Sequence, residues 1–519
     1  MRTGWGVGGA DYRGWMTTGI RLSSATGRWV LLATVLGSGM AMLDATVVNV
    51  ALPRIGDEFG ASMAGLQWTV NAYTLTLAGL ILLGGSLGDR FGRRRVFVIG
   101  VVWFAVASAL CGAAQDISML IAARALQGVG GALLTPGSLA IIQASFVPED
   151  RARAVGAWSG LGGVAGAIGP FLGGWLVDFA GWRWVFLLNL PLAAVVLAVT
   201  VRHVPETADP EATGKFDVLG AVLAAVCLAG VTYALTEAPE RSASTALVVT
   251  SAVAGVAAAV AFVVVERRRT GRAKEPRAML PVDVFASKQF TAINAVTFVM
   301  YGAMSVVFFL LVLTLQVVAG FSPIAAGTAM LPVTVLMLLF SARSGALAQR
   351  IGPRRPIAAG VLLAAAGMLL MTRISEHTSY IGVVLPAAIV FGLGLTLAVA
   401  PLTATVLATA DERHAGVASG VNNAVARAAG LLAVAAIPPL AGLTGAAYTN
   451  PADFAHGFRV AVLSCVVLMV AAAVLTVFTV RDDALRTAPP AAEPQCRVNC
   501  PVAAPPLEPT RTASADQHP

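Results

Sequence analysis

The sequence predicts an all-α polytopic membrane protein of fourteen transmembrane helices, and three observations carry that expectation. Of 519 residues 57% are hydrophobic and 12% charged, with a mean hydropathy of +0.79; a soluble domain carries about 25% charged residues. Apolar runs of about 20 residues, long enough to cross a bilayer as a helix, recur along the chain. The cations also sort by loop: 28 of the 35 Lys and Arg fall at the N-terminus, in every second loop and in the tail, against five in the opposite loops. Cationic loops stay on the cytoplasmic side, so both termini are expected there.

Hydropathy places the spans at roughly 29–51, 64–88, 96–114, 117–142, 154–177, 184–202, 218–236, 245–265, 290–318, 323–342, 356–373, 380–409, 416–440 and 458–480. The first run is too long for a signal-peptide core and lacks a small-residue cleavage site, so it reads as a span. Residues 1–28 are Gly-rich and irregular and are expected to form a disordered cytoplasmic leader, with Met16 a plausible true start. Residues 481–519 are rich in Pro and Ala without an apolar period, which predicts a disordered cytoplasmic tail.

A net charge of +8 raises nucleic acid as a partner, but that needs a basic patch on one soluble face, and here the arginines sit in loops between apolar runs. Lysine occurs only at 215, 274 and 288, a weak hint of a GC-rich bacterial genome. Cys111, Cys227 and Cys465 lie inside apolar runs as small core residues. Cys496 and Cys500 lack the further ligands a metal site needs, so neither metal nor cofactor is expected. An ATP-driven pump would need a nucleotide loop of the form G-x4-G-K-[ST], yet Gly214-Lys215 is followed by Phe216. The five histidines are scattered over loops and tail, which disfavours a membrane hydrolase or acyltransferase.

Two ionisable groups inside spans stand out. An ionised Asp44 in the first span costs a few kcal/mol unless it faces water or a partner. A group that loads and releases a proton is what coupling needs, but an acid that only ties helices together fits too. Arg124 in the fourth span shares a helix face with Gln127, Gly128 and Gly131. Arginine does not discharge at cellular pH, so it biases a nearby acid or serves as a fixed interhelical donor.

Between the second and third spans, Gly85, Leu87, Asp89, Arg90, Gly92, Arg93 and Arg94 resemble the G-x-L-x-D-R-x-G-R-R/K loop of the major facilitator superfamily. The segment 43–53, LDATVVNVALP, resembles the first-span signature of its fourteen-span drug:proton antiporter family. Arg124-Ala125-Leu126-Gln127-Gly128 resembles that family's R-x-x-Q-G pattern. Gly156, Gly169, Pro170, Gly173 and Gly174 fall on the antiporter signature of the fifth span, with Ala165 in place of one glycine, and residues 182–191 look like the start of the family's sixth span. The resemblance runs from Trp29 to Val480. It implies a major facilitator fold of two six-helix bundles, 29–203 and 290–480, with two inserted helices and a basic linker over 204–289. A weak repeat of the loop at 345–355, with Gln349 where Asp89 stands, agrees with such halves.

For function the resemblance implies export of small amphipathic compounds in exchange for protons by a monomer in the plasma membrane, with lipid as its surroundings; proton-coupled uptake of a polar metabolite is the alternative. It assigns proton coupling to Asp44 and Arg124. It assigns a cytoplasmic gate to Gly85, Asp89, Arg90, Gly92 and Arg93, in which Asp89 meets a helix N-terminus or an arginine across the interface in one state only. The glycines of the fifth span offer a smooth surface for a rocking seam. Substrate-facing candidates are Asn294 and Tyr301 on one polar stripe and Asn423 and Arg427 on another, the latter in a run similar to the family's G-V-A-S-G-x-N-N. Family members often carry Gln where Arg427 stands, so neutral, zwitterionic or anionic amphiphiles are favoured over dications.

Overall fold

The structure, a computed structural model, describes residues 19–208, 217–240, 243–269, 280, 282–408, 415–445 and 447–485. The described residues form sixteen α-helices: α1 (Ala25–Phe59), α2 (Met63–Phe91), α3 (Arg93–Gly112), α4 (Ile117–Ser145), α5 (Pro148–Phe179), α6 (Arg183–Leu187), α7 (Asn189–His203), α8 (Val218–Glu237), α9 (Thr245–Arg269), α10 (Lys288–Val317), α11 (Pro323–Thr328), α12 (Leu331–Ile351), α13 (Arg354–Met371), α14 (Leu385–Ala408), α15 (Ala415–Leu440) and α16 (Pro451–Thr479). α6 with α7 makes one span, as does α11 with α12. Thirteen spans are long and apolar enough to cross a membrane, or fourteen when bent α2 is included. The bend in α2 is 50° between Ile81 and Leu83, immediately before the Gly84-Gly85 pair.

The helices begin where the sequence offers a cap. Ser24, Ser62, Asp116, Ser287 and Ser322 each accept a first-turn backbone N–H of α1, α2, α4, α10 and α11, meeting donors that have no partner inside the helix. Between α2 and α3 the chain turns at Gly92 with φ of 104°, and a Cβ there would lie 2.6 Å from the Glu206 carboxylate. A side chain there would strain the backbone and push the Glu206 carboxylate aside.

Small residues then set the packing. Gly100 on α3 lies against Leu133 and Leu134 of α4, and Gly367 and Gly394 bring α13 and α14 together at Phe391 and Ala364. Without a hydrophobic drive between helices in lipid, close backbone approach and the dispersion it yields are what associate them. α1 packs on α4, α5 and α7, α2 and α3 pack on α4, and further along α10 packs on α15 and α16 and α13 on α14 and α16. α8 and α9 pair through Gly230 and Gly255 and dock by α8 onto α2 and α15. The base of this pair is tied where Arg269 meets Asp217 and Leu280 N–H donates to Glu266 Oε2 at 2.8 Å.

Order begins earlier in the leader than the sequence suggests. Ile20 is buried, its N–H donates to Ser145 O at 2.8 Å, and Leu22 N–H donates to Asp150 Oδ2 at 2.8 Å. A single apolar side chain and three backbone bonds are too little for hydropathy to detect. At the other end a short 3-10 turn, Asp482–Leu485, follows α16. The rest of the leader, including Met16, and the tail from 486 lie outside the described residues.

Candidate functional site

Asp44 sits mid-way along α1, about 22 Å by helical rise from its C-terminal end. Hydropathy ended this helix eight residues early, because the polar residues Arg54, Asp57 and Glu58 continue it past the apolar run. Neither Asp44 nor Arg124 reaches solvent, at 0% and 1% exposure. Asp44 Oδ2 accepts from Arg124 Nη1 at 2.5 Å, and Oδ1 accepts from Gln127 Nε2 at 2.8 Å and Asn189 Nδ2 at 2.9 Å. The helix face of Arg124 and Gln127 therefore meets a carboxylate from another span, not an aqueous cavity.

The shell around the pair is polar and closed. Arg124 Nε donates to Thr69 O at 3.0 Å, and its guanidinium carbon lies 4.3 Å from the centre of the Tyr73 ring. Gln127 and Asn189 both donate to Ser108 Oγ, at 3.1 and 2.8 Å, and the Ser108 hydroxyl donates to Phe186 O at 2.9 Å. Six elements (α1, α2, α3, α4, α6 and α7) thus meet in one network. Desolvating two ions costs several kcal/mol each, and such a pair persists only where geometry and further hydrogen bonds compensate. Ser108 and Tyr73 were not singled out from sequence, where each is a hydrogen-bonding side chain inside an otherwise apolar run; Asn189 lay in the 182–191 motif but without a role assigned to it.

In the loop between α2 and α3, Asp89 pairs with a near neighbour. Asp89 Oδ1 accepts from Arg93 Nε at 2.9 Å and Nη2 at 2.8 Å, within its own loop, and not from a helix N-terminus across an interface. Arg90 lies over the Phe91 ring at 5.7 Å, Gly85 touches Pro136, and Arg94 N–H donates to Glu206 at 3.1 Å.

On α5 the glycines divide. Gly169 and Gly173 press on Thr46 and Val47 of α1, whereas a Cβ on Gly174 would lie 2.5 Å from Ile324 Cα on α11, and Gly327 of α11 abuts Pro170 O. Gly156 has no neighbour within 4 Å of its Cβ position. Near these contacts Asp178 accepts Ile324 N–H at 2.9 Å, Gln316 donates to Val50 O at 3.1 Å, and Gln67 on α2 donates to Val434 O on α15 at 2.6 Å. All lie toward the end of the molecule where α1 finishes, here the far end.

Of the substrate-facing candidates, Asn294 is enclosed. It is 3% exposed and accepts from Asn422 Nδ2 at 3.1 Å, so in this state its amide pairs α10 with α15. Sequence spacing shows a polar stripe but not which neighbour covers it. Tyr301 is half-buried, Asn423 is exposed, and Arg427 Nε donates to Asn423 Oδ1 at 3.0 Å.

Residues 34–434 match the Major Facilitator Superfamily. The chain belongs to that superfamily. It is a secondary transporter and not an enzyme. It is 36% identical over 464 residues to a puromycin resistance protein of Streptomyces alboniger, covering 86% of this chain and 90% of that one. It is 37% identical over 406 residues to the multidrug resistance protein Stp of Mycobacterium tuberculosis, covering 76% and 72%. Among solved structures, a D-xylose-proton symporter superposes with a TM-score of 0.62 at 16% identity, covering 89% of this transporter and 100% of the symporter. A bacterial homologue of the human lysosomal transporter Spinster gives 0.61 at 16% identity, covering 90% and 100%.

Proposed function

We propose that this transporter exports small amphipathic compounds, of the kind the resistance relatives are named for, in exchange for protons by alternating access. The observation that carries the reading is the sealed Asp44–Arg124 pair. A carboxylate held in this way exchanges a proton only when its contacts to Arg124, Gln127 and Asn189 are replaced. Motion that opens the network would therefore make proton loading depend on conformation. Arg124 stays charged throughout and serves to bind and release the acid.

In this reading 29–203 and 290–480 are the two moving bundles and the α8–α9 pair is an insert resting on both. The termini are cytoplasmic in the plasma membrane, as the cation asymmetry supports, so the far end is external. The contacts at Gly174, Gly327, Gln316 and Gln67 then hold the external side shut. On the internal side Asp89 of the Gly85–Arg93 loop is turned to Arg93 in this state and engages the opposite bundle when the transporter opens outward. The smooth α5 surface at Gly169, Pro170, Gly173 and Gly174 is the seam, and Tyr301, Asn423 and Arg427 face the substrate. A monomer suffices for this cycle.

Everted vesicles test the reading. With an acid interior, a fluorescent amphiphile should accumulate in vesicles bearing the transporter and leave when nigericin collapses the gradient. Gradient-independent accumulation would refute proton exchange, and accumulation only in right-side-out vesicles would instead favour uptake.

A further inference from the structure

Arg427, in the middle of α15, is a cation with no counter-ion among the described residues. α10 through α15 contain no Asp or Glu, and the one acid of α16, Asp453, stands in its first turn. In the first seven helices the deep acid is Asp44, which Arg124, Gln127 and Asn189 already hold. Among the described residues, the hydrogen bond to Asn423 is the one the Arg427 guanidinium makes with protein, and no ion pair reaches it. A guanidinium offers five N–H donors, so four are left for something else. A charge at membrane depth costs several kcal/mol unless it is compensated, and an arginine cannot shed its proton to escape that cost.

Its position says where the compensating group comes from. Val434 lies two helical turns beyond Arg427 on the same face of α15 and accepts from Gln67 of α2. Arg427 thus lies on the side of α15 that faces α2, on the internal side of that closed contact. Tyr73, also on α2, has its ring stacked under Arg124 at 4.3 Å.

We propose that Arg427 anchors the acidic group of the cargo, and that the transporter carries amphipathic monoanions, an ionised carboxylate or phenolate on an apolar body. This rests on the export reading for its direction but not for its chemistry. Asn423 positions the guanidinium.

Binding to the purified full-length protein in detergent tests this without any gradient. The probes share one fluorophore: 1-pyrenebutyrate, its methyl ester and 1-pyrenebutyltrimethylammonium. Wild type should bind the carboxylate at least about tenfold more tightly than the ammonium probe, a factor set by one charge-assisted contact. Arg427→Gln should erase the preference and Arg427→Lys should keep part of it, with thermal unfolding confirming that both variants are folded. Should Arg427→Gln fail to fold, Asn423→Ala, which frees the guanidinium to move, should narrow the preference. No binding of the carboxylate to folded wild type, equal binding of the two charged probes, or a preference that survives Arg427→Gln would overturn the proposal. Failure of the export reading would appear instead as selective binding with no gradient-driven accumulation in vesicles.

Discussion

Asp44 of α1 and Arg124 of α4 meet at 2.5 Å with neither open to solvent, and the carboxylate takes two further hydrogen bonds from Gln127 and Asn189. Each residue stabilises the fold only while the other is present, because a lone buried charge is far worse than none.

Arg124→Gln alone should therefore destabilise the protein by about 3–5 kcal/mol, and Asp44→Asn by a similar amount. The double variant should be much less destabilised than the sum, since it buries two neutral amides in place of one orphan ion. Thermal unfolding of the four proteins in one detergent measures the coupling, and additive losses would show that the pair does not act as a unit.

Gly174 is placed where any side chain meets Ile324 Cα and the α11 backbone, which cannot give way as a flexible side chain does. Gly174→Leu should keep the far end from closing and cut export at least tenfold while the protein stays folded, because in the proposed cycle the seam forms in one state only. Labelling of Asp178→Cys, adjacent to that seam, by an external thiol reagent should rise in the Gly174→Leu background. Unchanged labelling would place the seam elsewhere.

Asp89 behaves otherwise, since its bond to Arg93 is within one loop and 40% of its side chain is exposed. Exposed pairs contribute about 0–1 kcal/mol, so Asp89→Asn should leave the unfolding temperature nearly unchanged. Its effect should fall on transport, through loss of a contact made only in the outward-open state, with export reduced about tenfold or more. A variant with full export and lowered stability would reverse this assignment.

How far the sequence reaches is clear from particular residues. The spans follow from apolar length because lipid forbids unsatisfied backbone, and all fourteen predicted runs coincide with helices or helix pairs. Asp44 and Arg124 stand out because ionisable residues are rare at that depth. That they bond to one another was not legible, since they are 80 residues apart and no periodicity links α1 to α4. Asn189 and Ser108 were hidden for the same reason, each being one modest polar side chain whose role exists only once α3 and α7 close over α1. The stripe containing Asn294 was legible as a stripe, but which side of it Asn422 would cover was not. Where α1 ends was misjudged because its last turns are polar and project beyond the apolar run.

The central claim is that Asp44 carries the exchanged proton. In everted vesicles with an imposed pH gradient, followed by quinacrine or ACMA fluorescence, adding a transported amphiphile should release protons from vesicles bearing wild type. Vesicles bearing folded Asp44→Asn, matched for protein content, should give no substrate-triggered release. Release of equal rate and extent from Asp44→Asn would contradict the account and leave Asp44 as a structural tie between α1, α4 and α7.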